Sequence, residues 1–238
     1  MFAGPNGSGK TTVQRDTSRR YRSDFLGVLV NPDDLEATIR RDGRLDLGPF
    51  EVSVGETEVC DAFTSSAFLK HHQLAEAAAV VRCDGRTIDF SGLVMNSYYA
   101  SVLADFLRRK LLAGSVSFTF ETVMSEPGKV NLLREAQGLG FRTYLYYVAT
   151  EDPEINITRV GLRVAQGGHD VPRDKIISRY HRSLALVGNA IRHTDRAFFF
   201  DTSGEDSLLI AESVGGDRPE LRSDSIPRWF ETYVWDKF

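Results

Sequence analysis

Residues 4–11 read Gly4-Pro5-Asn6-Gly7-Ser8-Gly9-Lys10-Thr11, a full match to the spacing G-x-x-x-x-G-K-[ST]. Glycines at these positions let the backbone N–H groups turn inward around phosphate oxygens, and a helix that starts at the lysine adds its positive end. Lys10 is long enough to reach the β- and γ-phosphates of a nucleotide, and the Thr11 hydroxyl suits Mg²⁺. Asn6, Ser8 and Thr12 complete the predicted lining with Gly4, Gly7 and Gly9. At average residue frequencies a chance match in a chain this long occurs about once in a hundred.

A cradle of this kind sits between a buried strand and a helix, so Phe2 and Ala3 are read as what remains of a first strand. Four further apolar runs read as strands: 25–30, 115–120, 143–148 and 197–200. Helical periods fall between them, over 10–21, 96–113, 127–139, 153–166 and 172–193. Strands alternating with helices predict an α/β fold, a P-loop kinase-type parallel sheet of about five strands flanked by helices. Residues 45–95 interrupt the rhythm with a predicted helix over 64–79 and a hairpin in "VVRCDGRTIDF", where Asp84-Gly85 suits a type I′ turn. This stretch is taken as an insertion after strand two within one domain spanning 1–238, since about 50 residues rarely bury enough surface alone. The end, "IPRWFETYVWDKF", reads as a docked amphipathic helix over 225–238 with Trp229, Tyr233 and Val234 on one side. A central strand this short predicts either a natural start further upstream or a looser cradle.

Composition narrows the function classes. The chain has 238 residues, 42% hydrophobic and 26% charged, with a net charge of −4, so no basic field favours nucleic acid. Cys60 and Cys83 lie in no metal-binding spacing and are read as reduced structural thiols. No apolar run is long enough for a membrane helix, so a soluble cytoplasmic protein is expected.

Three clusters bear on the reaction. Strand two runs into Asn31-Pro32-Asp33-Asp34, and ligands of open α/β sheets sit at the carboxyl ends of strands. A carboxylate there accepts a proton from an acceptor hydroxyl, or else Asp33 or Asp34 simply caps the next helix; the spacing fits both. Strand three ends as "FTFETVMS", which places Glu121 and Thr122 at the same rim, and a carboxylate after several buried positions points to metal or substrate. Arg159, Arg163 and Gln166 share one helix face, Gly167-Gly168 ends that helix, and Pro172 opens the next. Such a hinge suits a helical lid, over about 153–193, that brings guanidinium groups onto phosphate. His169 either caps the hinge or touches phosphate. A stripe of Ile177, Tyr180, Leu184, Val187 and Ile191 is expected to be buried on the second lid helix.

In order, "AGPNGSGKTT", "VNPDD", "FTFETVMS", "ITRVGLRVAQGGHDVP", "ISRYHRSL" and "FDTSG" resemble the zeta-toxin-like group of P-loop kinases over residues 1–43 and about 97–205. The resemblance implies ATP- and Mg²⁺-dependent phosphorylation of a sugar hydroxyl on a UDP-activated amino sugar, as in UDP-N-acetylglucosamine kinases, with a small antitoxin protein as partner. Carried over by position, it implies Lys10 and Thr11 in the cradle, Asp33 as the base, and Arg159 as the first phosphate-binding arginine. It implies Glu121 as the acidic residue closing strand three and Asp105 as a substrate-binding carboxylate. Where the family carries a second lid arginine, this chain has His169, and Arg163 is the nearest substitute. Two other functions fit the motifs alone: a kinase of another hydroxyl compound, such as an antibiotic or nucleoside, and a nucleotide-gated switch without transfer.

Overall fold

Strands covered on both faces need only short runs of large side chains, and this chain builds its sheet from such runs. A computed structural model describes residues 1–20, 26–168 and 170–238. In chain order the elements are β1 (Phe2–Ala3), α1 (Lys10–Arg20), β2 (Val28–Val30), α2 (Pro32–Asp42), β3 (Arg44–Asp46), α3 (Glu58–Ser65), α4 (Ala67–His71), β4 (Arg82–Cys83), β5 (Thr87–Asp89), α5 (Ser97–Ala113) and β6 (Phe118–Thr122). They continue with α6 (Gly128–Gly138), β7 (Tyr144–Ala149), α7 (Pro153–Ala165), α8 (Arg173–Ile191), β8 (Arg196–Asp201), β9 (Leu208–Val214), β10 (Glu220–Leu221) and α9 (Arg228–Tyr233). The predicted helix end at Tyr21, the strand start at Phe25 and the hinge residue His169 lie outside the described residues.

The chain divides into two compact units, Met1–Phe25 with Glu121–Phe238, and Leu26–Phe120. In the first, strands run in the order β10-β9-β8-β7-β1, with the Glu121–Thr122 end of β6 beside β1. Strands β1, β6, β7 and β8 are parallel, while β9 and β10 run antiparallel. Only two residues long, β1 nonetheless pairs on both sides, Phe2 with Glu121 and with Tyr146. The Phe2 ring stacks on Tyr146 at 4.5 Å, and Tyr146 stacks on Phe198 at 5.0 Å, so aromatic faces tie three adjacent strands together.

Five parallel strands were expected, and five are present when β2 is included. The two antiparallel strands beyond β8 were not expected. In β9 the apolar alternation is blurred by Glu212 and by a register shift between Phe199 and Phe200 of its partner. Glu212 is held by Arg196 at 3.0 Å and Arg222 at 3.4 Å, which makes a carboxylate tolerable inside the strand. At the C-terminus the helix is shorter than expected, and its buried side chains are Trp229, Phe230 and Val234, with Tyr233 half-buried. On α8 the stripe begins at Ile176 rather than Ile177, and Ser183 joins it by bonding the Tyr147 hydroxyl at 3.0 Å.

In the second unit β2 lies parallel to Phe118–Phe120 of β6, and α2 packs on α5. Residues 64–79 do not form one helix. Ser66 ends α3 and caps α4, and a 3-10 turn over Glu76–Val80 follows. The hairpin β4–β5 is present, extended by β3 into an antiparallel sheet ordered β3-β5-β4. Its turn is not type I′: Gly85 has φ +91° but Asp84 and Arg86 keep negative φ, and Asp84 instead accepts from the Arg86 and Thr87 N–H groups.

The starts of β7 and β8 are aligned by a clasp. The Thr143 N–H and hydroxyl donate to Asp195 Oδ2 at 2.7 and 2.9 Å, and the Asp195 N–H donates back to the Thr143 carbonyl at 3.0 Å. The first of these bonds does most to hold the Asp195 carboxyl below its ordinary value of 3.8. A depressed folded value means stability that is present above 3.8 and lost as the pH falls through the folded value. Asp195→Asn is therefore expected to lower the urea midpoint at pH 7 and to approach the wild type in acid. A gap of constant size into acid would show that the charge contributes nothing.

Candidate phosphate-binding site

The cradle begins where β1 ends. The Gly4 N–H donates to the Thr122 carbonyl at 3.2 Å, so the loop departs level with the end of β6. Gly4 has φ +145°, and a Cβ there would lie 1.9 Å from the Val148 carbonyl oxygen. Gly7 has φ +74°, and a Cβ would fall 2.6 Å from the Asn156 carbonyl oxygen. Both glycines are thus required by backbone conformation and by close approach together. Helix α1 starts at Lys10, and the Thr12 and Val13 N–H groups of its first turn donate to the Gly9 carbonyl at 3.0 and 3.1 Å, so the positive end of the helix lies at the loop.

The predicted lining residues converge here. Lys10 Nζ folds over the loop and donates to the Gly4 and Pro5 carbonyls at 2.9 and 2.8 Å. Thr11 Oγ1 donates to Glu121 Oε2 at 3.1 Å, which joins the two residues read from sequence as the Mg²⁺ pair. Asn6 Oδ1 and Ser8 Oγ are buried with no hydrogen-bond partner among the described residues. Hydroxyl and carboxylate oxygens are the donors Mg²⁺ accepts, and it keeps waters and phosphate oxygens for the rest of its shell. Unused buried polar atoms, a glycine-rich loop packed close on its neighbours and hard oxygen donors all fit a bound nucleotide with Mg²⁺. Among the described residues no group of three or more His, Cys, Asp or Glu forms a separate metal centre.

Helix α7 and the segment after β8 hold the loop from behind, through Asn156 and Thr202, which sequence reading missed. Asn156, fully buried on α7, donates from Nδ2 to the Asn6 carbonyl at 2.6 Å and accepts from the Thr150 hydroxyl. Thr202, just past β8, donates from Oγ1 to the Ser8 carbonyl at 2.8 Å. Arg159 is fixed on this same segment, donating to the Thr202 and Gly204 carbonyls at 2.6 and 3.1 Å. Asp201 accepts from Trp229 Nε1 at 2.8 Å and from Ser203 Oγ at 3.0 Å, and Ser203 Oγ in turn accepts the Glu151 N–H at 2.7 Å. Thr122 Oγ1 accepts the Met124 N–H at 3.0 Å and turns the chain away from the rim.

Arg163 lies exposed one turn beyond Arg159, about 6 Å further along α7. Gly167 and Gly168 do end that helix, both donating back to its last turn. An ion pair between Arg173 and Glu154 sets the first turns of α8 and α7 side by side. In the second unit the cap of α2 is Asn31, whose Oδ1 accepts the Asp33 N–H at 2.9 Å; neither aspartate caps it. Asp33 and Asp34 occupy the first turn, where the helix end favours negative charge. Partial burial, and then the neighbouring Asp33, push the Asp34 carboxyl above its ordinary value. Asp105 pairs with Arg108, whose guanidinium is 2% exposed and lies 4.8 Å over the Phe120 ring.

No family model matches the chain. Over 65 residues, 27% of its length, it is 31% identical to an uncharacterized protein of Haemophilus influenzae, 46% of which that segment covers. Among solved structures it is similar to a chain of the AvrRxo1-ORF1:-ORF2 complex crystallised with ATP, with TM-score 0.54 at 15% identity over 93% of this chain and 60% of that one. The same complex with sulphate ions gives TM-score 0.53 at 17% identity over 98% and 62%. The chain thus spans about half of the curated relative and about three-fifths of these structures. The fold they share is an α/β fold, a mostly parallel sheet flanked by helices. No helix among the described residues is long and apolar enough to cross a membrane.

Gly4→Ala is expected to lower the folding free energy by about 2 kcal/mol or more, since it combines a left-handed backbone with a clash against a strand carbonyl. Gly140→Ala, also at positive φ but with nothing within 4 Å of the added Cβ, separates the two terms and should be the milder change in urea unfolding.

Proposed function

We propose that the protein is an ATP-dependent phosphotransferase acting on an alcohol, that its acceptor is a sugar hydroxyl of a UDP-activated amino sugar, and that it is the toxin of a toxin–antitoxin pair. The observation that carries the reading is the convergence of Gly4, Gly7, Lys10, Thr11 and Glu121 on one cradle. The fold shared with a chain crystallised with ATP, in a two-component protein complex, supports both the donor and a small protein partner. The acceptor class rests on the resemblance of the six sequence motifs, and a nucleotide-activated sugar would place the activity in the cytoplasm.

In this reading MgATP supplies the phosphoryl group, and the chain binds, orients and moves protons. Gly4, Asn6, Gly7, Ser8, Gly9 and Thr12 shape the cradle. Lys10 exchanges its two carbonyl partners for phosphate oxygens, a charge-assisted bond that is shorter and stronger. Thr11 and Glu121 take the Mg²⁺ side. Asp33, on the first turn of α2, removes the proton of the acceptor hydroxyl. Arg159 and Arg163 neutralise charge growing on the transferred group. Asp105, Thr122 and His169 contact the acceptor.

Incubation with ATP and a mixture of UDP-sugars, read by mass spectrometry, tests this. Wild type is expected to yield a phosphorylated UDP-amino sugar. Lys10→Ala should lose nucleotide binding, while Asp33→Ala should keep it and lose turnover by at least ~10²-fold, the scale of removing a general base. Phosphate on another hydroxyl compound and on no UDP-sugar would refute the acceptor. Equal turnover in wild type and Asp33→Ala would refute the base.

A further inference from the structure

Two buried side chains hold alternate carbonyls of the cradle, one from each flank. Asn156 Nδ2 holds the Asn6 carbonyl at 2.6 Å, and Thr202 Oγ1 holds the Ser8 carbonyl at 2.8 Å. They come from different elements, α7 and the segment after β8. In a planar trans peptide the C=O and the following N–H point in opposite directions. Anchoring the Asn6 oxygen on Asn156 therefore aims the Gly7 N–H away from α7. Anchoring the Ser8 oxygen on Thr202 likewise aims the Gly9 N–H away from the β8 segment.

We infer that Asn156 and Thr202 are positioning residues of the phosphate site, holding the Asn6–Gly7 and Ser8–Gly9 peptide planes so that the Gly7 and Gly9 N–H groups are preset as anion donors. The inference rests on the cradle being a phosphate site. Both side chains are set for the task. Asn156 is a poor residue for a helix interior, yet it is fully buried there, and its Oδ1 is fixed by the Thr150 hydroxyl. Thr202 is 7% exposed, its single hydroxyl hydrogen lies closer to the Ser8 carbonyl at 2.8 Å than to the Ala149 carbonyl at 3.2 Å, and its oxygen accepts from Arg159 at 3.4 Å. Fixing donors before a ligand arrives removes ordering costs that binding would otherwise meet. A loop free to flip these two planes would also present carbonyl oxygens, which repel an anion.

The test uses inorganic triphosphate, which reads the cradle without base or sugar, displacing a fluorescent ATP analogue. Asn156→Leu and Thr202→Val are each expected to weaken triphosphate about tenfold, the scale of losing one well-placed hydrogen bond. Thr202→Ser, which keeps the hydroxyl, should recover most of that loss. Tyr147→Phe removes another buried hydroxyl of the same unit, bonded to Ser183 at 3.0 Å, and should leave triphosphate binding unchanged while shifting the unfolding midpoint. Wild-type affinity in Thr202→Val, or a tenfold loss in Tyr147→Phe, would overturn the inference. Should Asn156→Leu not fold, the Val and Ser variants at Thr202 decide it. No displacement by triphosphate from wild type and Lys10→Ala alike would instead overturn the phosphate-site reading itself.

Discussion

Everything at the phosphate site depends on how closely the backbone at Gly4 passes the carbonyl of Val148. The space where a Cβ would sit is already occupied to within 1.9 Å by that oxygen. Because β1 is two residues long, the loop leaves the sheet almost at once, and the position of its first turn is set by the strands on either side. Backbone pairing and aromatic stacking compensate for the short strand. Phe2 is fully buried between its neighbours, and its ring continues a stack that reaches β8. The cradle is therefore as firm as the four parallel strands of the first unit, whatever the length of the strand that carries it.

Around the cradle a chain of polar contacts ties the ends of β7 and β8 together. Asp201, Ser203 and Glu151 link the two strand ends, and Trp229 of α9 closes the link from outside. The Tyr180 hydroxyl donates to the Thr150 carbonyl at 2.6 Å, and burial, then the nearby Glu151 and Asp152 carboxylates, push its ionisation above the ordinary tyrosine range. Such groups tolerate burial because each has found a partner, and each partner also fixes a backbone segment. Lys10 illustrates the same economy: its ammonium rests on two loop carbonyls, which satisfy it without holding it as strongly as phosphate would.

Much of the fold was legible because its signals are local. Gly4 to Thr11 announce a strand-to-helix turn by spacing alone, and the five parallel strands follow from short apolar runs between helical periods. That Thr11 and Glu121 stand beside one another was not displayed by the sequence, which places one at the start of α1 and the other at the end of β6; the bond between them is tertiary. Strand β9 was hidden because Glu212 interrupts its apolar pattern and is stabilised by Arg196 and Arg222, and β10 because it is two residues long. The cap of α2 was left open in the sequence because Asn31, Asp33 and Asp34, three of four consecutive residues, all suit a helix start, and the observed bond to the Asp33 N–H chooses Asn31.

By itself the sequence determined the spacing of the glycine-rich loop, the alternation of parallel strands and helices around it, and a carboxylate at the end of β6. These depend on residue type and spacing, which a linear chain displays. Tertiary structure alone decided what holds the cradle in place. Asn156 and Thr202 lie 150 and 194 residues from the carbonyls they bind, and an asparagine in a helix or a threonine after a strand carries no mark of such a partner. The reason is physical: a peptide plane is oriented by whatever stands beside it in space, and spacing along the chain says nothing of that.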